Sequence, residues 1–200
     1  MVLHLVRHAA HGHVGHILSG RQPGLSLSDR GRAEAGSLAH ALARLPLDAV
    51  HASPRERAVE TAEAVAAPHG LAVEIAPDLD EIDFGAFTGR TFDDLADDPD
   101  WRAWNDDRDT ARCPGGETMA EAQARILRHL AVLARRHQGG VVASVTHADM
   151  IKAAVVHVLG LPLAAIHRFD VDPASVTTLS LGDAPPRLVS LNVVHGEERA

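Results

Sequence analysis

The chain has 200 residues, 46% of them hydrophobic, and a formal charge of −8 from 27 acidic and 19 basic residues, with 14 histidines besides. That is length for a substantial core in one domain over residues 1–200, with the composition of an ordinary soluble globular protein. The acidic balance excludes a general nucleic-acid binder, no apolar run approaches the roughly 20 residues that cross a bilayer, and the single Cys113 excludes an intrachain disulfide. The opening Met1-Val2-Leu3-His4 has neither the basic region nor the small-residue cleavage site of a secretory signal, so a cytoplasmic protein with no membrane or nucleic-acid partner is expected.

The first predicted element is a buried strand, Val2 to Val6, that stops on Arg7-His8. A parallel strand delivers its last residues to the carboxyl edge of its sheet, where open α/β folds bind ligands. Arg7 would bring a planar fork of donors for phosphate, and His8 an imidazole able to attack phosphorus. Ser28-Asp29-Arg30-Gly31-Arg32 opens a helix to about Leu45, with Leu38, Leu42 and Leu45 on one face, and Pro46 closes it. Residues 47–53 read as a second strand. Pro54, a favoured first helical residue, starts a helix to about Ala67 whose first turn holds Arg57 near the same edge.

Residues 71–75 make a short strand. Asp80 to Gly89 is an irregular loop punctuated by Gly85 and Gly89, and it offers two candidate proton donors, Glu81 and Asp83. The acidic stretch from Asp93 to Asp109 follows, read as an insertion over the core containing two short helical pieces, with Trp101 and Trp104 as packing anchors. Helix 117–137 carries Ile126, Leu130 and Leu133 at helical spacing and ends before Gly139-Gly140. Val141 to Thr146 is a buried strand with His147 directly after it, as His8 follows the first. Helix 148–159 and two late strands, 176–181 and 187–193, complete an α/β pattern: a mainly parallel sheet covered on both faces, its last pair a hairpin.

Five fragments in this order carry a resemblance: Leu5-Val6-Arg7-His8; Ser53-Pro54 with Arg57-Ala58 and Thr61-Ala62; Glu81-Ile82-Asp83-Phe84-Gly85 with Gly89; Pro114-Gly115-Gly116-Glu117; and Thr146-His147. Together the chain resembles the histidine phosphatase superfamily, the phosphoglycerate mutase-like family, and its shorter phosphatase branches above all. The resemblance implies a three-layer α/β/α sandwich and a phosphate pocket made by Arg7, His8, Arg57 and His147. It makes His8 the nucleophile and Glu81 the acid, with a small phosphorylated substrate and neither metal nor other cofactor. It further implies that residues of about 90–115 form a lid through which Arg102, Trp104 or Arg108 influences substrate choice. The chain departs from the family pattern in having Ala9 and Ala148 after the two histidines in place of glycine. It also lacks the polar residue, often asparagine, that usually follows the nucleophile; a histidine of residues 11–16 or Ser19 is the available replacement.

A phosphomutase is the alternative within this chemistry. Outside it stand a non-catalytic phospholigand-binding module and a metal-binding protein using the crowded His4, His8, His11, His13 and His16.

Overall fold

The computed structural model describes residues 1–195. Six strands, β1 (Val2–Arg7), β2 (Ala49–Ala52), β3 (Val73–Ile75), β4 (Val141–Thr146), β5 (Ser175–Ser180) and β6 (Arg187–Val194), form one sheet in the order β3-β2-β4-β1-β5-β6. The first four are mutually parallel, and β5 and β6 close the other edge antiparallel to β1 and to each other.

Side chains alternate along each strand, so the apolar strands feed two separate cores. Leu3, Leu5, Ala49 and Val142 belong to one; Val6, Val50, Ala52, Ala143 and Val145 belong to the other. On the second face lie α1 (Asp29–Leu42) and α2 (Glu56–Ala66), through Leu38, Leu42, Ala62 and Val65. The first face is covered by α3 (Phe92–Ala96), α4 (Pro99–Asp106), α5 (Met119–Arg136) and α6 (Ala148–Val158), through Leu95, Trp104, Ile126, Leu133, Ile151 and Val155. This is the expected three-layer α/β/α sandwich. The helix starts are written locally: Ser28 accepts from the Gly31 amide, Asp98 from those of Asp100 and Trp101, and Thr118 with Glu121 forms a reciprocal capping box.

Several boundaries differ from expectation, and three of the differences have a local cause. The first helix stops at Leu42, and Leu45 enters a turn with its amide on the Leu42 carbonyl, because a residue preceding proline disfavours helical geometry. The second helix begins at Glu56, not Pro54. Arg55 stays extended at φ −78° and ψ 137°, its guanidinium forked on Asp80. The third strand begins at Val73, since the Leu71 amide bonds the Ala66 carbonyl after a left-handed turn at Gly70.

The acidic stretch packs down through its aromatics. Trp104 is fully buried, set edge-on to Phe84 and stacked on Trp101, with the Arg108 guanidinium 3.5 Å from its ring centroid. Trp104→Ala should cost about 3–5 kcal/mol, the range for emptying a buried large aromatic site. A urea titration followed by circular dichroism checks it, and a midpoint equal to wild type would show that the stretch contributes nothing to the core.

Candidate active site

β1 and β4 run side by side with Arg7 opposite Thr146, so the residues that follow them leave the sheet together. The His8 amide donates to the Thr146 carbonyl at 2.9 Å, and the His8 and His147 ring centroids stand 5.1 Å apart. Helix α2, entered from the neighbouring β2, brings Arg57 between them, only 1% exposed. Its Nε donates to His8 Nε2 at 3.2 Å, while one terminal nitrogen lies 3.2 Å from His147 Nδ1 and donates to the Gly20 carbonyl at 2.8 Å. The structure thus gathers Arg7, His8, Arg57, Glu81 and His147 at one sheet edge.

The state of His8 follows from its partners. Nδ1 lies 2.9 Å from the Ala9 carbonyl oxygen, which can only accept, so the neutral ring carries its proton there and presents a lone pair on Nε2. Burial, then the charges of Arg57 and Arg7, hold the His8 pKa well below the ordinary histidine value. Burial and Arg57 do the same to His147. Its Nε2 is 2.7 Å from Ser53 Oγ, and that hydroxyl donates onward to Asp80 at 3.4 Å. Asp80 in turn holds Arg55 through two bonds of 2.8 Å.

Glu81 is positioned by its backbone. Its carbonyl accepts from Arg21 at 2.8 Å and Arg125 at 3.2 Å, and both arginines also pair with Glu117, at 2.9 and 3.0 Å. The loop lies against residues 114–117 without room for side chains at two points. A Cβ at Gly85 would fall 2.1 Å from the Pro114 carbonyl oxygen, and one at Gly116 would fall 2.1 Å from that of Asp83. Only glycine permits this approach. The Glu81 carboxyl ends 3.6 Å from His147 Nδ1, where burial, with Asp149 adding like charge and Arg57 and Arg7 opposing, raises its pKa to about 7. Asp83 is placed differently: its carboxylate caps the Gly85 amide at 3.0 Å, reaches Arg21 at 3.5 Å and does not line the pocket.

The pocket encloses about 170 Å³. Arg7, His8, Arg57 and Glu81 line it along with Asp149, His11 and Ser19, and Leu18, Phe84 and Phe92 add apolar surface. His147, expected in the same lining, is fully buried behind Arg57 and Glu81 and does not reach the open pocket wall. Arg7 Nε and Arg57 Nη1 are buried and make no hydrogen bond among the described residues, so two guanidinium donors remain for an anion. Chemically the arrangement offers those donors, an imidazole lone pair and a carboxyl group that is protonated below about pH 7.

The departures at residues 9–19 now have places. The Ala9 amide is committed to Thr61 Oγ1 at 3.0 Å. His11, its ring 5.3 Å from that of His8, and Ser19 both line the pocket where the asparagine is missing; burial and then Arg57 lower His11 to a pKa of about 4. His4 instead turns into the sheet, 3.1 Å from Thr178 Oγ1, and among the described residues no three His, Cys, Asp or Glu side chains form a group that could hold a metal ion. Of the residues expected to influence substrate choice, Trp104 is sealed in the core and Arg102 bonds the Asp97 carbonyl at 2.7 Å. Arg108 meets the pocket only through Asp149, at 3.6 Å. Sequence reasoning missed Asp149, although a carboxylate two residues after His147 in a first helical turn was a visible signal. It also missed the Arg21–Glu117–Arg125 brace, which joins distant segments and leaves no local trace.

A model of the histidine phosphatase superfamily (branch 1) matches residues 3–194. The chain is 29% identical over 179 residues to phosphoserine phosphatase 1 of Hydrogenobacter thermophilus, covering 87% of this chain and 85% of that one. It is 29% identical over 195 residues to the adenosylcobalamin/alpha-ribazole phosphatase of Escherichia coli, covering 96% of each. Among solved structures, a mycobacterial glucosyl-3-phosphoglycerate phosphatase superposes with a TM-score of 0.85 at 28% identity, over 96% of this chain and 98% of that one.

Proposed function

The chain belongs to the histidine phosphatase superfamily as one of its phosphatases, and we propose that it hydrolyses small phosphomonoesters without a metal ion through a phosphohistidine on His8. The observation that carries this reading is the His8 Nε2 lone pair, turned into a pocket that also holds two unpaired guanidinium donors.

The phosphate dianion takes its place on Arg7, Arg57 and His147, and Arg57 Nε exchanges its contact with His8 for a phosphate oxygen. The anion's charge raises the proton affinity of the buried His147 and favours its donor form. His8 Nε2 then attacks phosphorus in line, the bond to the ester oxygen breaks, and Glu81 gives its proton to the departing alkoxide. In the second step water attacks the phosphohistidine, Glu81 takes the water's proton, and cleavage of the N–P bond releases inorganic phosphate and restores His8. Hydrolysis is favoured over mutase chemistry by relatives that are phosphatases across nearly their whole length. We read residues 90–115 as a cover that lends Phe92 to the pocket. Among the described residues no helix is long and apolar enough to cross a membrane, which accords with the cytoplasmic setting we propose.

Phosphate release from a panel of small phosphomonoesters should persist in excess EDTA. Activity that EDTA abolishes and a divalent cation restores would overturn the metal-independent mechanism. The pH dependence carries a sign. His8 must be neutral and its pKa is depressed, so the acid limb of kcat/KM should fall well below pH 6.5. Glu81 must be protonated, so activity should be lost as pH rises through about 7. Asp149→Asn removes a like charge and should move that alkaline limb to lower pH; a limb that stays in place would separate it from Glu81.

A further inference from the structure

The pocket holds one carboxylate that the hydrolysis does not use. Asp149, in the first turn of α6, has a side chain 25% exposed and lines the pocket beside Arg7, His8, Arg57 and Glu81. A fixed negative charge beside a phosphate site weakens binding of any further anion there, so its presence calls for a compensating group on the ligand. Its own partner compensates only in part. The single ion pair Asp149 makes among the described residues is with Arg108, at 3.6 Å, beyond hydrogen-bonding distance. Arg108 does not line the pocket: it lies on the Trp104 ring and donates to Asn105 at 2.6 Å. The carboxylate is therefore anchored from one side with its oxygens still able to accept from the other. Leu18, Phe84 and Phe92 supply apolar contact for a short carbon frame close by.

We propose that Asp149 reads the leaving alcohol, and that the preferred substrate is the phosphomonoester of a small amino alcohol whose ammonium group pairs with Asp149 while its phosphate sits on Arg7, Arg57 and His147. This rests on the phosphohistidine phosphatase reading and adds a substrate class to it. A neutral alcohol leaves Asp149 with Arg108 and the longer-range charge of Arg7, which the phosphate then shares, and an alcohol bearing a carboxylate is repelled.

The test compares kcat/KM for three esters of similar size, phosphoethanolamine, propyl phosphate and phosphoglycolate, on the wild type and on Asp149→Asn. Ratios between esters within one variant cancel any common effect of Asp149 on Glu81. The wild type should prefer phosphoethanolamine to propyl phosphate by about tenfold, the order expected of a charge-assisted hydrogen bond, and should use phosphoglycolate least. Asp149→Asn should remove the preference for the ammonium ester and narrow the gap to phosphoglycolate. A wild type indifferent among the three, or ratios unchanged in the variant, would overturn the inference and leave the phosphatase reading standing. Failure of the wild type to hydrolyse any ester would overturn both.

Discussion

His8→Ala is expected to lower the turnover of every phosphomonoester by about four orders of magnitude or more, the scale on which covalent catalysis fails when its nucleophile is removed. Neither of the two imidazoles beside His8 can take over. His147 is held through Ser53 and Arg57, with its Nε2 directed away from the pocket, and His11 has its Nδ1 toward the His13 amide at 3.3 Å. The fold should survive, because among the described residues the His8 ring bonds only Ala9 and Arg57 and the strand pairing that places it is made by backbone. Steady-state rates on several esters, with circular dichroism to show a folded variant, read both halves. Turnover within tenfold of wild type in a folded His8→Ala protein would remove His8 from the chemistry.

Glu81→Gln is the second large effect, and its size should depend on the leaving group. With an alkyl phosphate, whose alkoxide departs only if protonated, kcat should fall by about two to four orders of magnitude. With p-nitrophenyl phosphate the phenolate leaves unaided, so phosphorylation of His8 should proceed nearly as in the wild type. Hydrolysis of the phosphohistidine still needs Glu81 as base, so the aryl ester should give a burst of nitrophenolate followed by slow turnover. Glutamine keeps the carbonyl that accepts from the Ile82 amide at 3.0 Å, so the loop should hold its shape. Equal losses on both esters with no burst would show that Glu81 does not handle the proton.

Much of this was legible in the chain. The strands were readable because their apolar runs are short and bounded by turn residues, and the histidines fall directly after two of them. That Arg7, His8, Arg57 and His147 would meet follows from parallel strands ending at one edge. The choice between Glu81 and Asp83 was not legible. The two lie two residues apart in an irregular loop, and their separation into pocket and turn cap depends on backbone contact between residues 83–86 and 114–117. The start of α2 was misplaced for a similar reason: Pro54 is a good first helical residue, but the Arg55 fork on Asp80 keeps the chain extended beyond it. Asp149 was overlooked because its meaning lies in what faces it, the buried Arg108 on one side and the pocket on the other.

The central claim is the covalent step, and the most direct measurement is to trap it. The enzyme is mixed with a ³²P-labelled phosphomonoester, quenched in denaturant at alkaline pH, where a phosphohistidine survives, and digested for peptide mapping. The account predicts acid-labile label on the peptide containing His8, chased from the wild type on the timescale of turnover, accumulating in Glu81→Gln when an aryl ester is used, and absent from His8→Ala. Turnover without label on His8, or label on any other residue, would contradict it.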